Sequence, residues 1–130
     1  MPNFFQVLLV AIGGMLGSVI RFVLGLYIIQ RMNGLFPWST LFINISGSLL
    51  IGIILGSFAK TGNEQHWLSN ENWRLFLATG FCGGFTTFST FSSEGFQLLK
   101  QQQYTIFFVY FTASVVLGLL ATAAGFIITR

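Results

Sequence analysis

The sequence predicts an all-α integral membrane protein with four transmembrane helices per subunit, the third of them broken, and three observations predict it. Of 130 residues, 54% are hydrophobic and only 7% are charged, against roughly 25% charged in a soluble domain. Four apolar stretches, joined by short connections, each approach the ~20 residues that cross a hydrocarbon core of about 30 Å. Within the third, residues 80–96 read GFCGGFTTFSTFSSEGF, where two adjacent glycines precede six hydroxyl side chains. The whole chain, 1–130, is therefore expected to be a single four-helix transmembrane domain.

The first span, about 4–29 (FFQVLLVAIGGMLGSVIRFVLGLYII), is followed by the polar turn QRMNG and by FPW, whose Pro37 and Trp38 suit a helix start at the membrane interface. It lacks a basic leader and a small-residue cleavage site, so it is expected to stay in the mature protein. The second span covers about 39–59. The segment KTGNEQHWLSNEN that follows is dense in charge and amide and reads as an external loop, with Trp67 and Trp73 as interfacial anchors. The third span covers about 73–98, KQQQY separates it from the fourth, and the fourth covers about 105–129. Gly13 and Gly17, Gly52 and Gly56, and Gly80 and Gly84 each form a G-x-x-x-G, and Ala121 with Gly125 continues the spacing. Small residues let helices approach closely where lipid supplies no hydrophobic drive for association, so a compact bundle is expected.

With four spans both termini share one side of the membrane with the 60–72 loop. That side carries Lys60, Arg74 and Arg130; the other carries Arg31 and Lys100, plus Arg21 if it reaches the interface. An excess of Lys and Arg normally fixes orientation. A chain this balanced is expected to insert both ways up and to pair as an antiparallel dual-topology homodimer, the unfused counterpart of an inverted repeat; a fixed orientation set by a weak bias is the alternative. The basic residues form no run, so the expected surroundings are the lipid bilayer and no nucleic acid. Cys82 and His66 are single, which excludes Cys/His zinc sites and Cys/His nucleophile pairs within one chain. With no acid/base pair or nucleophile beside a base, an enzyme is not expected.

Polar residues inside the membrane carry the functional reading. Arg21 lies in the second half of the first span and Asn44 near the start of the second. A central charge costs roughly 2.5–3.5 kcal/mol on insertion scales, so such residues mark a cavity, a partner or a pathway. An arginine favours an anion there, or it snorkels towards the interface. Glu94, the one acidic residue within a span, either reaches water or pairs with a cation such as Arg21. Gly83 and Gly84 are the expected position of the break, since glycine adopts backbone angles that other residues avoid and non-helical backbone at membrane depth must line protein or a watery cavity. Beyond it Phe85, Phe88 and Phe91 recur every third residue, with Thr86, Thr87, Ser89, Thr90, Ser92 and Ser93 between them. Hydroxyl protons and the electropositive rims of aromatic rings can together replace part of an anion's hydration shell. The alternative is that the hydroxyls bond back to their own helix and the rings merely pack. Tyr110 and Ser114 fall one turn apart on the fourth span and can continue a polar track.

At GGFTTFSTFSSE the sequence resembles the Fluc (CrcB) family of fluoride ion channels, and the likeness covers essentially the whole chain: Arg21 in a glycine-rich first span, PWSTL and Asn44 in INISG, and Tyr110, Ser114 and TAAG in the fourth span. The resemblance implies a fluoride-selective channel in the bacterial cytoplasmic (inner) membrane, exporting fluoride passively and reducing its toxicity. It implies a homodimer in antiparallel orientation with two pores. It also implies a structural Na+ at the dimer centre, held by backbone carbonyls at Gly83 and Thr86. By the same resemblance Phe88 and Phe91 line the fluoride pathway with Asn44, Ser89, Thr90, Tyr110 and Ser114, and Arg21 is a vestibule residue. Gly118 departs from the pattern, because some members carry a further serine there. The alternative is a small multidrug-type proton-coupled exporter, also a dual-topology dimer of four-helix chains. Such exporters rely on a glutamate in the first span, where this chain has Arg21.

Overall fold

Asn3 opens the first helix by a capping box: its side chain accepts the amide of Gln6 at 2.8 Å, and its own amide donates to Gln6 Oε1 at 3.0 Å. The helix, α1 (Phe4–Arg31), belongs to a computed structural model that describes residues 1–60 and 71–130. The expected external loop and its anchor Trp67 lie outside the described residues. After Pro37, α2 (Trp38–Lys60) begins, and Trp38 stacks on Phe42 with ring centroids 5.9 Å apart. The chain then runs through α3 (Glu71–Arg74), a π-helical stretch (Leu75–Cys82), α4 (Gly83–Phe85), α5 (Phe88–Lys100) and α6 (Tyr104–Thr129). Among the described residues three helices, α1, α2 and α6, are long and apolar enough to cross a membrane. The third expected span is broken, as expected, into two helical pieces joined at Thr86 and Thr87.

The expected glycine pairs sit where helices touch. A Cβ on Gly13 or Gly17 would run into the carbonyls of Phe76 and Phe81, and one on Gly84 into that of Gly14. These residues lock α1 against the π stretch and α4. In the same way Gly52 meets the Thr122 carbonyl, Gly56 that of Phe126, and Gly125 that of Leu49, which brings α2 and α6 together along their length. Rising numbers on one helix meet rising numbers on the other, so both pairs run parallel. Two hydroxyls clasp the second pair: Thr122 donates to the Ser48 carbonyl and Thr129 to that of Ile53, each at 3.1 Å. Close backbone contact between small residues is how membrane helices associate.

Leu41, Leu98 and the fully buried Tyr110 form a core between α2, α5 and α6, with Phe36, Phe91 and Phe107 against it. Elsewhere the large apolar side chains point outwards: Phe22, Leu119, Ile127 and Ile128 are all exposed. Lipid is the solvent that such a surface requires. Among the described residues few are buried, and those lie at the glycine contacts between helices, in the Tyr110 core and beside the break in the third span.

Candidate functional site

The helix breaks two residues later than the glycine pair suggests. Gly83 has ordinary helical angles (φ −62°, ψ −39°), whereas Thr86 and Thr87 are extended, at φ −85°, ψ 159° and φ −150°, ψ 118°. The cause is a side chain on another helix. Asn44 presents its amide as a surrogate backbone: Oδ1 accepts the Thr87 amide at 2.9 Å, and Nδ2 donates to the Thr87 carbonyl at 3.1 Å. Thr87 in turn caps α5, its hydroxyl accepting the Thr90 amide at 3.2 Å. Backbone groups freed inside a membrane need partners of this kind.

The carbonyls of Gly83 and Thr86 are among those that lose their helical donors at the break. In an unbroken helix the Thr87 amide would bond the Gly83 carbonyl and the Thr90 amide that of Thr86; both amides are diverted, to Asn44 and to the Thr87 hydroxyl. Neutral carbonyl oxygens suit a hard cation, so the backbone at Gly83 and Thr86 fits the expected Na+ in donor chemistry. The glycines serve differently from expectation. Gly84 allows contact with α1, and a Cβ on Gly83 would meet nothing within 4 Å.

Beside the break lies an open cavity of about 480 Å³, bordered by Asn44, Ser48, Gly83, Thr86, Thr87, Phe88, Phe91 and Ser114. Phe88 and Phe91 stand with ring centroids 5.9 Å apart, and Phe91 continues onto Tyr110 at 5.2 Å. The Ser114 hydroxyl is buried in the cavity wall and has no hydrogen-bond partner among the described residues. A buried polar group is ordinarily paired. This one is a spare donor in the wall of a cavity that Phe88 and Phe91 also border, a chemistry that suits a small anion.

Tyr110 is placed at the end of this row, but its proton is already committed. It donates to Glu94 Oε2 at 2.7 Å while Thr40 donates to Oε1 at 2.8 Å. Glu94 therefore has hydroxyl partners, and Arg21 is not among them. Arg21 is half-buried on α1, does not border the cavity and has no bonded partner among the described residues. Ser89 and Thr90 are exposed; their hydroxyls gather on that of Thr87 at 3.3 and 3.1 Å and not on the cavity. The structure thus brings together Asn44, Gly83, Thr86, Phe88, Phe91 and Ser114, with Tyr110 one ring away, and leaves Arg21, Ser89 and Thr90 outside.

Sequence reasoning missed Ser48 and Thr40 and assigned no role to Glu94. A signal for the first two is present: Thr40, Asn44 and Ser48 follow one another at four-residue steps, which puts them on one face of α2. Tyr110, Ser114 and Gly118 make the matching row on α6. Ser48 lies across from the glycine, its hydroxyl 3.5 Å from where a Gly118 Cβ would stand.

The profile of the family described as CrcB-like protein, Camphor Resistance (CrcB), matches residues 8–126. Similar proteins include one from Azobacteroides pseudotrichonymphae, 41% identical over 96% of this chain and 96% of its own. A second, from Flavobacterium psychrophilum, is 45% identical over 93% and 94%. Both are called fluoride-specific ion channel FluC. A third, from Nitrobacter hamburgensis and called fluoride-specific ion channel FluC 1, is 46% identical over 95% of this chain and 94% of its own.

Proposed function

The chain belongs to the CrcB-like family, and from that premise we propose that it is a fluoride-selective channel of the bacterial cytoplasmic membrane. The observation that carries the proposal is the unpartnered, buried hydroxyl of Ser114 in a cavity walled by Phe88, Phe91 and the amide of Asn44. Hydrogen fluoride crosses membranes neutral and dissociates inside, and a pore for the ion lets the membrane potential expel it. No fuel is needed. A multidrug-type exporter needs an acidic residue in the first span, and α1 contains none.

Fluoride is small and strongly hydrated, so it enters only where donors replace its water. Ser114 offers a proton, and the rims of Phe88 and Phe91 offer partial positive charge. A larger anion is compensated less well by the same donors. Towards Tyr110 the path changes character, because both hydroxyls there serve the Glu94 carboxylate. An anion moving on must compete with Glu94 for the hydrogen bond that the Tyr110 hydroxyl donates.

The working unit we propose is an antiparallel homodimer. Phe88 supports it, being 78% exposed in one chain although it borders the cavity; a second copy would cover it and close the pore. The two-fold axis would bring the Gly83 and Thr86 carbonyls of both chains together around a structural Na+, which supplies positive charge to the converging dipoles. Ser89, Thr90 and Arg21, outside the cavity of one chain, are assigned to the polar track and vestibule of the assembly.

The test is fluoride efflux from liposomes containing the purified protein, followed with a fluoride electrode under an imposed potential and with chloride as competitor. Fluoride is expected to leave while chloride stays. Retention of fluoride, or equal loss of both, overturns the proposal.

A further inference from the structure

A second concavity opens on the opposite side of α2, away from the pore, and its chemistry points to a lipid. Its walls are Leu24, Tyr27 and Ile28 of α1 with Phe42 and Ile43 of α2, and its rim carries Arg31. At 100° per residue, Phe42, Ile43 and Ser46 centre on the side of α2 away from Asn44 and Ser48. The groove opens to the bilayer, since Tyr27 and Phe42 are 55% and 44% exposed.

We propose that this groove is a binding site for an anionic phospholipid, with one acyl chain between α1 and α2 and the headgroup phosphate on Arg31. Three features favour that occupant. The groove begins at the membrane interface: Arg31 ends α1, and Trp38 starts α2 beside it, an arrangement typical of the headgroup level. From Arg31 to Leu24 it descends about 10 Å at 1.5 Å per residue, into the depth of acyl chains. The guanidinium is also held in place. It lies 5.1 Å over the Tyr27 ring, a cation–π contact that keeps it at the rim, and no carboxylate among the described residues bonds it. An aromatic-backed arginine above an apolar slot complements a phosphate attached to a hydrocarbon tail. The inference goes beyond ion conduction and does not depend on it.

The experiment is native mass spectrometry of the full-length protein in detergent, titrated in parallel with dioleoyl phosphatidylglycerol and dioleoyl phosphatidylcholine. The anionic lipid is expected to be retained about fivefold better, and Arg31→Gln should remove that preference while Arg130→Gln preserves it. Leu24→Trp, which fills the slot, should lower retention of both lipids, and free glycerol 3-phosphate should not compete. The proposal is overturned if no preference is seen, if it survives Arg31→Gln, if free glycerol 3-phosphate abolishes it, or if the dimer retains no lipid because a second copy covers the groove.

Discussion

Asn44 and Ser114 border the same cavity, yet they are bonded in opposite ways. Asn44 holds both the amide and the carbonyl of Thr87, so its loss leaves two backbone groups unpaired, at about 1–3 kcal/mol each. Asn44→Ala is therefore expected to lower both fluoride flux and resistance to unfolding. Ser114 has no hydrogen-bond partner among the described residues. Ser114→Ala should leave the unfolding midpoint where it is and slow fluoride efflux about tenfold, the loss expected of a hydrogen bond to a charged ligand. Efflux and denaturant titration on the two variants separate the roles; equal loss of stability in both would show Ser114 to be structural. Much of this site was legible in the sequence because its parts are local patterns: rings three residues apart, Tyr110 and Ser114 one turn apart. Glu94 was legible as an acidic residue within a span but not in its partners. Thr40 is 54 positions and Tyr110 16 positions distant, and only packing brings them to one carboxylate.

At the scale of elements, apolar length foretold α1, α2 and α6, and glycine spacing foretold close helix contact but not which helices pair. The break was misplaced because glycine freedom is a local argument and the cause is not local. Asn44, 43 residues away, outcompetes the helix for the Thr87 amide, so the chain leaves the helix at Thr86 while Gly83 stays helical. The π-helical stretch Leu75–Cys82 likewise has no signature in composition. The glycines themselves divide by contact, which gives a prediction. Gly17→Ala places a methyl against the Phe81 carbonyl and Phe85 amide, and overpacking of that kind typically costs about 1–3 kcal/mol. Gly118→Ala meets only the Ser48 hydroxyl at ordinary contact distance, and in a helix interior alanine is favoured by about 1 kcal/mol. Unfolding in mixed micelles should thus move to lower denaturant for Gly17→Ala and hold or rise for Gly118→Ala. The reverse order would mean that the α1 contact carries little of the stability.

At the scale of the whole molecule, the proposed pairing of two oppositely inserted copies turns on charge. Arg74 and Arg130 lie on one side with Lys60, and Arg31 and Lys100 on the other, so few lysines or arginines separate the two insertions and small additions should be decisive. Gln101, exposed, and Gln103, half-buried, lie in the turn between α5 and α6 and do not border the cavity. Gln101→Lys with Gln103→Lys adds two charges to that end and should hold it in the cytoplasm. Lys100→Gln with two lysines appended after Arg130 should impose the opposite insertion. If the pore is closed by an antiparallel partner over Phe88, each variant expressed alone gives like-oriented chains and little fluoride efflux, and the two expressed together restore it. A C-terminal tag, digested from one face of the membrane, reports the orientations independently. Full efflux from a variant whose tags all face one side would rule out the antiparallel pair while leaving the Ser114 cavity of each chain in place.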